Sequence, residues 1–264
     1  MKKMVLSIAA VLTLGISKAD NDGFCGIKNN CFKNGENVSM YVFYTVMGAW
    51  FHAGTAKFTT VLEKLDNKPV WHFTGTGETL SSYDWIYKVR DSYESYVDTT
   101  TMQPLKFVRN VNEGTYKKHE NVTFNKSTGT AIGKDGVFKI PDCIQDVVSM
   151  VYYARSINFD KYKVDEKITF DIFLDNQVYH MYMRYMGKET IKTRYGKFRC
   201  IKIKPLLLKS STFEGGEKMT AYLSDDMNHL PIRIESGISV GSVKVDMMMY
   251  SNLRYPLTSL IDIR

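Results

Sequence analysis

From Met40 onward, apolar and polar residues alternate in short runs separated by Gly, Asn and Asp, the pattern of antiparallel strands. Residues 41–46, 53–65, 70–76, 85–96, 105–113, 116–124 and 130–134 read as strands in the first half. Met47-Gly48, Asn67-Lys68-Pro69, Asn112-Glu113-Gly114 and Lys134-Asp135-Gly136 supply turn chemistry between them, because Gly and Asn tolerate positive φ. Strands resume at 167–174, 179–186, 189–193, 198–205, 218–223, 230–236 and 241–253, with tight turns at Asp175-Asn176 and Met186-Gly187. The exception is 142–156, where Ile144, Val147, Val148, Val151 and Ala154 recur at helical spacing behind Pro141 and a capping Asp142. That predicts one central amphipathic helix, either a lid over a sheet or a cover for one end of a β core.

No linker rich in Pro, Gly or Ser divides the chain, so 20–264 reads as a single exported β domain. Its expected class is mainly β, an antiparallel β-barrel or half-barrel. Composition agrees: aromatics reach 13%, with 17 Tyr and 14 Phe against 6 Pro, and such residues favour pleated surfaces. A weak echo between Tyr41–Gly48 and His180–Gly187 hints at two related hairpins.

Residues 1–19 read as a secretory signal: Lys2 and Lys3, an apolar core over Met4 to Ile16, then Ser17-Lys18-Ala19. The apolar run is shorter than the roughly 20 residues a membrane helix needs. The expectation is a soluble periplasmic product, not an integral membrane protein, without the cysteine that lipid attachment requires. The formal charge of +7 then changes meaning, because losing Lys2, Lys3 and Lys18 leaves 32 basic against 28 acidic residues, or +4. Nucleic acid is excluded as a partner by export. Cys25, Cys31, Cys143 and Cys200 permit two disulfides. The turn-rich spacer in Cys25-Gly-Ile-Lys-Asn-Asn-Cys31 favours pairing Cys25 with Cys31, while Cys143 and Cys200 can pack as buried thiols.

Catalytic and metal motifs are missing. The five histidines show no metal spacing, no CxxC occurs, and no serine lies in a GxSxG elbow. Gly75 and Gly77 in Thr74-Gly-Thr-Gly-Glu-Thr79 lack the following GK[ST] of a phosphate loop and read as a turn. No cofactor or catalytic residue is expected. Two surfaces carry binding chemistry. Tyr179, Met181, Met183 and Tyr185 share one strand face, and Met247 and Met249 repeat the theme, which suggests a greasy cavity for an acyl chain or a core filled with methionine. Lys202 and Lys204 alternate with Ile201 and Ile203, giving a basic strand face that meets anions or solvent.

Three stretches, Asp146-Val-Val-Ser-Met-Val-Tyr-Tyr-Ala-Arg155, Met186–Lys197 and Tyr222–Ile234 followed by Gly241-Ser-Val, resemble an uncharacterised family of exported Bacteroidota proteins, a domain of unknown function. That family is similar in fold to the group-4-capsule lipoprotein YmcC. The resemblance covers Glu36 to Tyr255 and implies a barrel or half-barrel distantly like the carriers LolA and LolB, with helix against sheet. It carries no activity. The resulting expectation is a non-enzymatic periplasmic protein that binds a hydrophobic or amphiphilic envelope component: a lipid, a lipoprotein acyl chain or a glycolipid. The alternative is an interaction or scaffold protein in envelope polysaccharide assembly, with other envelope proteins as partners.

Overall fold

The computed structural model describes residues 25–46, 48–208, 215–238 and 241–263. The segment read as a signal, 1–19, lies outside them. The strands are β1 (Asn37–Val46), β2 (Ala49–Leu65), β3 (Lys68–Thr79), β4 (Arg90–Asp98), β5 (Pro104–Glu113), β6 (Tyr116–Asn125), β7 (Thr130–Gly133) and β8 (Gly136–Lys139). After helix α1 (Ser149–Arg155) come β9 (Lys167–Leu174), β10 (Gln177–Lys192), β11 (Gly196–Pro205), β12 (Met219–Ser224), β13 (Pro231–Gly237), β14 (Ser242–Ser251) and β15 (Leu260–Ile263). All join one antiparallel sheet in the order β8-β7-β6-β5-β4-β3-β2-β1-β14-β13-β12-β11-β10-β9, with β15 beside β11.

The sheet curls but does not close, which overturns the closed-barrel alternative. Its end strands, β8 and β9, meet through side chains. Phe138 and Phe124 approach Phe173 with ring centroids 5.8 and 5.9 Å away, and Asn176 Nδ2 donates to Asp135 Oδ2 at 2.7 Å. The backbone ladder is blocked because Gln145 occupies part of the β9 edge: its N–H donates to Asp171 O at 2.9 Å, and Phe173 N–H donates to Gln145 O at 2.8 Å.

That docking also shortens the helix. Residues 142–148 are not helical, and α1 keeps only seven residues. Cys143 sits at φ +60°, a conformation incompatible with a right-handed helix, and it is bonded to Cys25 with Cα atoms 5.6 Å apart. The Cys25–Cys31 pairing is therefore wrong. Cys31 N and Phe32 N donate to Asn29 Oδ1, a turn that aims Cys31 into the core. Its Sγ donates to Arg155 O at 2.8 Å. Cys31 and Cys200 are free and buried, and burial pushes their thiols up to about 11 and about 12.

Two further turns are absent where the sequence placed them. Met186-Gly187 lies inside β10, where Gly187 at φ +85° serves a bulge between Tyr185 and Lys188. Gly75 and Gly77 lie inside β3, paired to β2 and β4. Pro231 opens β13, an interior strand between β12 and β14.

One core fills the curl. Phe73, Phe107, Val122, Phe124, Phe173 and Ile203 of the sheet pack with Tyr152 and Tyr153 of α1. A second cluster joins Val38, Met40, Phe198, Ile232 and Met247 beneath the C-terminal segment.

At the centre is a polar knot. Arg155 Nη1 and Nη2 donate to Glu36 Oε1 and Oε2 at 2.6 and 3.0 Å, with both side chains at most 2% exposed. Its Nε and Nη2 donate to Asn228 O, and the Phe32 and Tyr152 rings lie 5.6 and 5.4 Å from Arg155 Cζ. His229 Nδ1 donates to Arg155 O at 2.6 Å. Asn228 holds the backbone of Tyr255 and Pro256, while Asp226 accepts from Ser224 Oγ and from the N–H groups of Asn228 and Ser259. Where α1 starts, Asp146 Oδ1 accepts the N–H groups of Val148 and Ser149, and its Oδ2 accepts from Ser95 Oγ at 2.5 Å. Burial still pushes the Asp146 carboxyl up to about 6, against the pull of those hydrogen bonds.

Candidate functional site

The six residues expected to line a cavity are not brought together. Met181, Met183 and Tyr185 are buried in the first core, with Tyr179 packed against it. Met247 belongs to the second, and Met249 is exposed. Met181 alone also borders an open recess of about 760 Å³ along β9, beside Cys25 and Cys143.

The basic face is largely answered by acids. Lys202 Nζ lies 3.2 Å from Glu189 Oε2 and 5.7 Å from the Tyr222 ring centroid. Lys204 pairs in register with Arg184, whose guanidinium is held by Glu217 at 2.7 Å. That hydrogen bond from Arg184, with another from Tyr182, pulls the Glu217 carboxyl down to about 2.

Another concavity lies on the inner face of β2–β5 beside the approach to α1. Phe58, Gly75, Gly77, Tyr93 and Arg109 share that face, because cross-strand partners project to the same side and the registers are Phe58 with Gly75, Gly75 with Tyr93, Gly77 with Asp91, and Tyr93 with Arg109. Val147, Val148, Val151 and Leu174 form the opposite wall of an open cleft of about 440 Å³. The two glycines are its floor. A Cβ on Gly75 would meet Phe58 Cε1 at 3.3 Å, whereas a Cβ on Gly77 would find nothing within 4 Å. A bare stretch inside a strand otherwise rich in side chains marks a place for close approach by something else.

Polar groups gather on one side of the cleft. Arg109 Nε lies 2.6 Å from Glu120 Oε2, off the hydrogen-bond direction, and Asp175 contacts both Arg109 and Lys118. Burial works to raise the Asp175 carboxyl, and the Lys118 hydrogen bond and Arg109 charge reverse this to hold it below its ordinary value. Glu113 is raised by burial and then by Asp91 nearby. Tyr93 is pushed up to about 12, chiefly by burial. Asp91, Glu113, Glu120 and Asp175 thus gather with Arg109 and Lys118 into an acid-rich mouth beside an apolar floor, and of these Asp91 and Arg109 line the cleft itself. Among the described residues no cluster of three or more metal-ligating side chains occurs.

Neither the glycine floor nor Arg109 figured among the residues expected from sequence to bind. The available signal was the spacing of Gly75 and Gly77 at i and i+2, which empties one strand face.

No curated protein matches the chain significantly. Among solved structures, it is similar to a β-barrel-like protein of domain of unknown function DUF1849 from Brucella abortus, at 7% identity and TM-score 0.56 over 84% of this chain and 99% of that one. A protein described as a lipoprotein from Parabacteroides distasonis matches at 13% identity and TM-score 0.38, over 84% and 100% of the two chains. A protein described as exported, with a YmcC-like fold, from Bacteroides fragilis matches at 9% identity and TM-score 0.30, over 84% and 98%. Of these three, the Brucella protein shares the overall fold. The family model "protein of unknown function (DUF3108)" matches residues 38–248, and the chain belongs to that family.

Proposed function

We propose that this protein is a non-catalytic, exported binding protein of the cell envelope that takes an amphiphile into the glycine-floored cleft. The observation that carries the reading is the open space above Gly77, next to Phe58, Val147 and Val151. A cleft of about 440 Å³ falls within the size range of small-ligand sites, and an apolar floor with a few convergent polar groups is their usual make-up. The acid-rich mouth sets the head-group chemistry: an uncharged or amine-bearing head fits beside Asp91 and Glu113, and a carboxylate head is repelled. A glycan-facing role for Lys202 and Lys204 has less support, because Glu189 and Glu217 already answer that face.

The test is displacement of an uncharged fluorescent probe, N-phenyl-1-naphthylamine, by dodecylamine and by dodecanoate. Dodecylamine should displace it at lower concentration. Gly77→Leu should weaken probe binding about tenfold or more while the protein stays folded, since Leu occupies open space at an ordinary extended position. Unchanged binding in Gly77→Leu would sink the reading.

A further inference from the structure

The connection between β3 and β4 displays Trp85, Ile86 and Tyr87 at 83%, 62% and 52% exposure. Three consecutive large apolar residues facing water need a reason, because single exposed ones do not. The loop is firmly built. Arg90 Nη2 donates to Asp84 Oδ2 at 2.7 Å, Thr79 Oγ1 donates to Asp84 Oδ1 at 2.7 Å, and Ile86 N and Tyr87 N donate to Tyr83 O. The largest force on the Asp84 carboxyl is the Thr79 hydrogen bond, which lowers it and keeps it charged for Arg90.

Neighbouring connections extend the patch. Leu80 N donates to Ala53 O, which sets the loop beside the β1–β2 hairpin with its half-exposed Trp50 and Phe51. Gly114 N donates to Lys88 O, which sets it beside the β5–β6 turn and exposed Tyr116. Cations flank the rim. Lys244 Nζ lies 4.1 Å from the Trp50 ring centroid and Arg194 Cζ 4.5 Å from that of Phe43, both bordering a recess of about 320 Å³ in which Asp246 is already paired with Arg233. Exposed Lys88 follows Tyr87 directly.

We infer that this rim docks the protein on an anionic phospholipid surface. Trp and Tyr favour the membrane interface because each joins an apolar ring to a polar tip. Basic side chains beside them gain from negative headgroups. Tips from three separate connections fit a fluid surface that closes around each ring. The inference deepens the amphiphile reading, on which it rests, because Gly77 lies two residues from Thr79 and its partner Asp91 one residue from Arg90, where the loop begins and ends.

Tryptophan emission tests it in the whole chain, with vesicles of phosphatidylethanolamine and phosphatidylglycerol carrying brominated acyl chains. Trp50, Trp71 and Trp85 are the three tryptophans, and Trp71 packs against the core. With Trp50→Phe and Trp71→Phe, the remaining Trp85 should shift blue and be quenched. With Trp50→Phe and Trp85→Phe, the remaining Trp71 should do neither. Trp85→Ser with Ile86→Ser, which touches no core, should lower vesicle flotation about tenfold or more. Arg194→Glu with Lys244→Glu should weaken binding to these vesicles and leave binding to phosphatidylcholine vesicles unchanged. An unquenched Trp85, equal flotation of the Ser variant, or Trp85-dependent self-association without vesicles overturns the inference, the last by showing a protein interface. Loss of probe binding in Gly77→Leu with vesicle contact intact supports the rim, and failure at the rim with probe binding intact faults the rim alone.

Discussion

Replacing Arg155 by Met tests whether the buried knot holds the curl together. The substitution keeps an unbranched apolar stem between Phe32 and Tyr152 but strands the Glu36 carboxylate, which is 1% exposed, and the carbonyl of Asn228. Removing one partner of a buried ion pair costs about 3–5 kcal/mol. At about 2–4 °C per kcal/mol for a domain of this size, the melting temperature should fall by about 6–20 °C. Glu36→Leu should cost a comparable amount by leaving the guanidinium uncompensated. The double variant should recover most of the loss, because two apolar side chains in place of a buried pair are close to neutral. The assay is urea unfolding followed by circular dichroism and by Trp71 emission, since the Trp71 ring meets Phe32 at 5.3 Å. A loss below about 1 kcal/mol in Arg155→Met, or single effects that add to within about 0.5 kcal/mol, would refute the argument.

Asp146 should make the fold less stable as pH rises: its carboxyl is raised from 3.8 to about 6, so its contribution is fully present below about pH 4 and lost by about pH 6. The loss is about 3 kcal/mol, and Asp146→Asn, which keeps the acceptor for Val148 N and Ser149 N, should remove that part of the slope in unfolding curves taken across this window. Thiol titration under oxidising conditions should find no reactive cysteine in the folded protein, two after denaturation and four after reduction, matching buried Cys31 and Cys200 and the Cys25–Cys143 bond. Cys25→Ser with Cys143→Ser should lower stability by about 2–4 kcal/mol in urea, because the bond closes a loop spanning 118 positions of sequence. Gly77→Leu should match or exceed the parent melting temperature, since a strand glycine packs nothing and its replacement meets open space.

The strands were legible because a sheet with one buried face imposes a period of two on residues such as Phe73 and Phe107. The helix was read too long because its apolar spacing is shared by Ile144, which is buried, and Val147, which is partly buried, in a segment that is not helical. What unwinds that segment is remote: Cys25 bonds Cys143, and the β9 edge claims Gln145. Gly187 shows a similar limit, since a residue at positive φ serves a turn or a bulge equally well, and only the partner strand decides. Strand β10 looked like a cavity wall because both of its faces carry apolar atoms. One face is core, and on the other Tyr182 uses its hydroxyl on Glu217. The candidate cleft was nearly invisible, because an empty face leaves no side chain to notice. Trp85 to Lys88 also read as strand, although the loop holds them out in water.

The residues that carry the family resemblance converge on structure. Asp146, Ser149, Tyr152 and Arg155 from one motif meet Ser224, Asp226, Asn228 and His229 from another around Glu36 and the C-terminal segment. The side chains of Glu36, Arg155, Ser224, Asp226 and Asn228 are spent on one another and on nearby backbone, so these motifs identify the scaffold and leave its activity open. The unspent chemistry is the glycine floor, the acidic mouth and the aromatic rim. Their charges oppose one another in a useful way. Lys88, Arg194 and Lys244 would favour a negative surface, while Asp91, Glu113, Glu120 and Asp175 outnumber Arg109 and Lys118 beside the cleft. On the reading proposed above, an anionic lipid would be attracted to the rim and repelled from the interior, and a neutral or amine-bearing amphiphile would be the guest that passes from one to the other. Asp91→Asn with Glu113→Gln should erase that discrimination, letting dodecanoate displace the probe as readily as dodecylamine; a preference that survives the double substitution would place selectivity elsewhere than in this carboxyl pair.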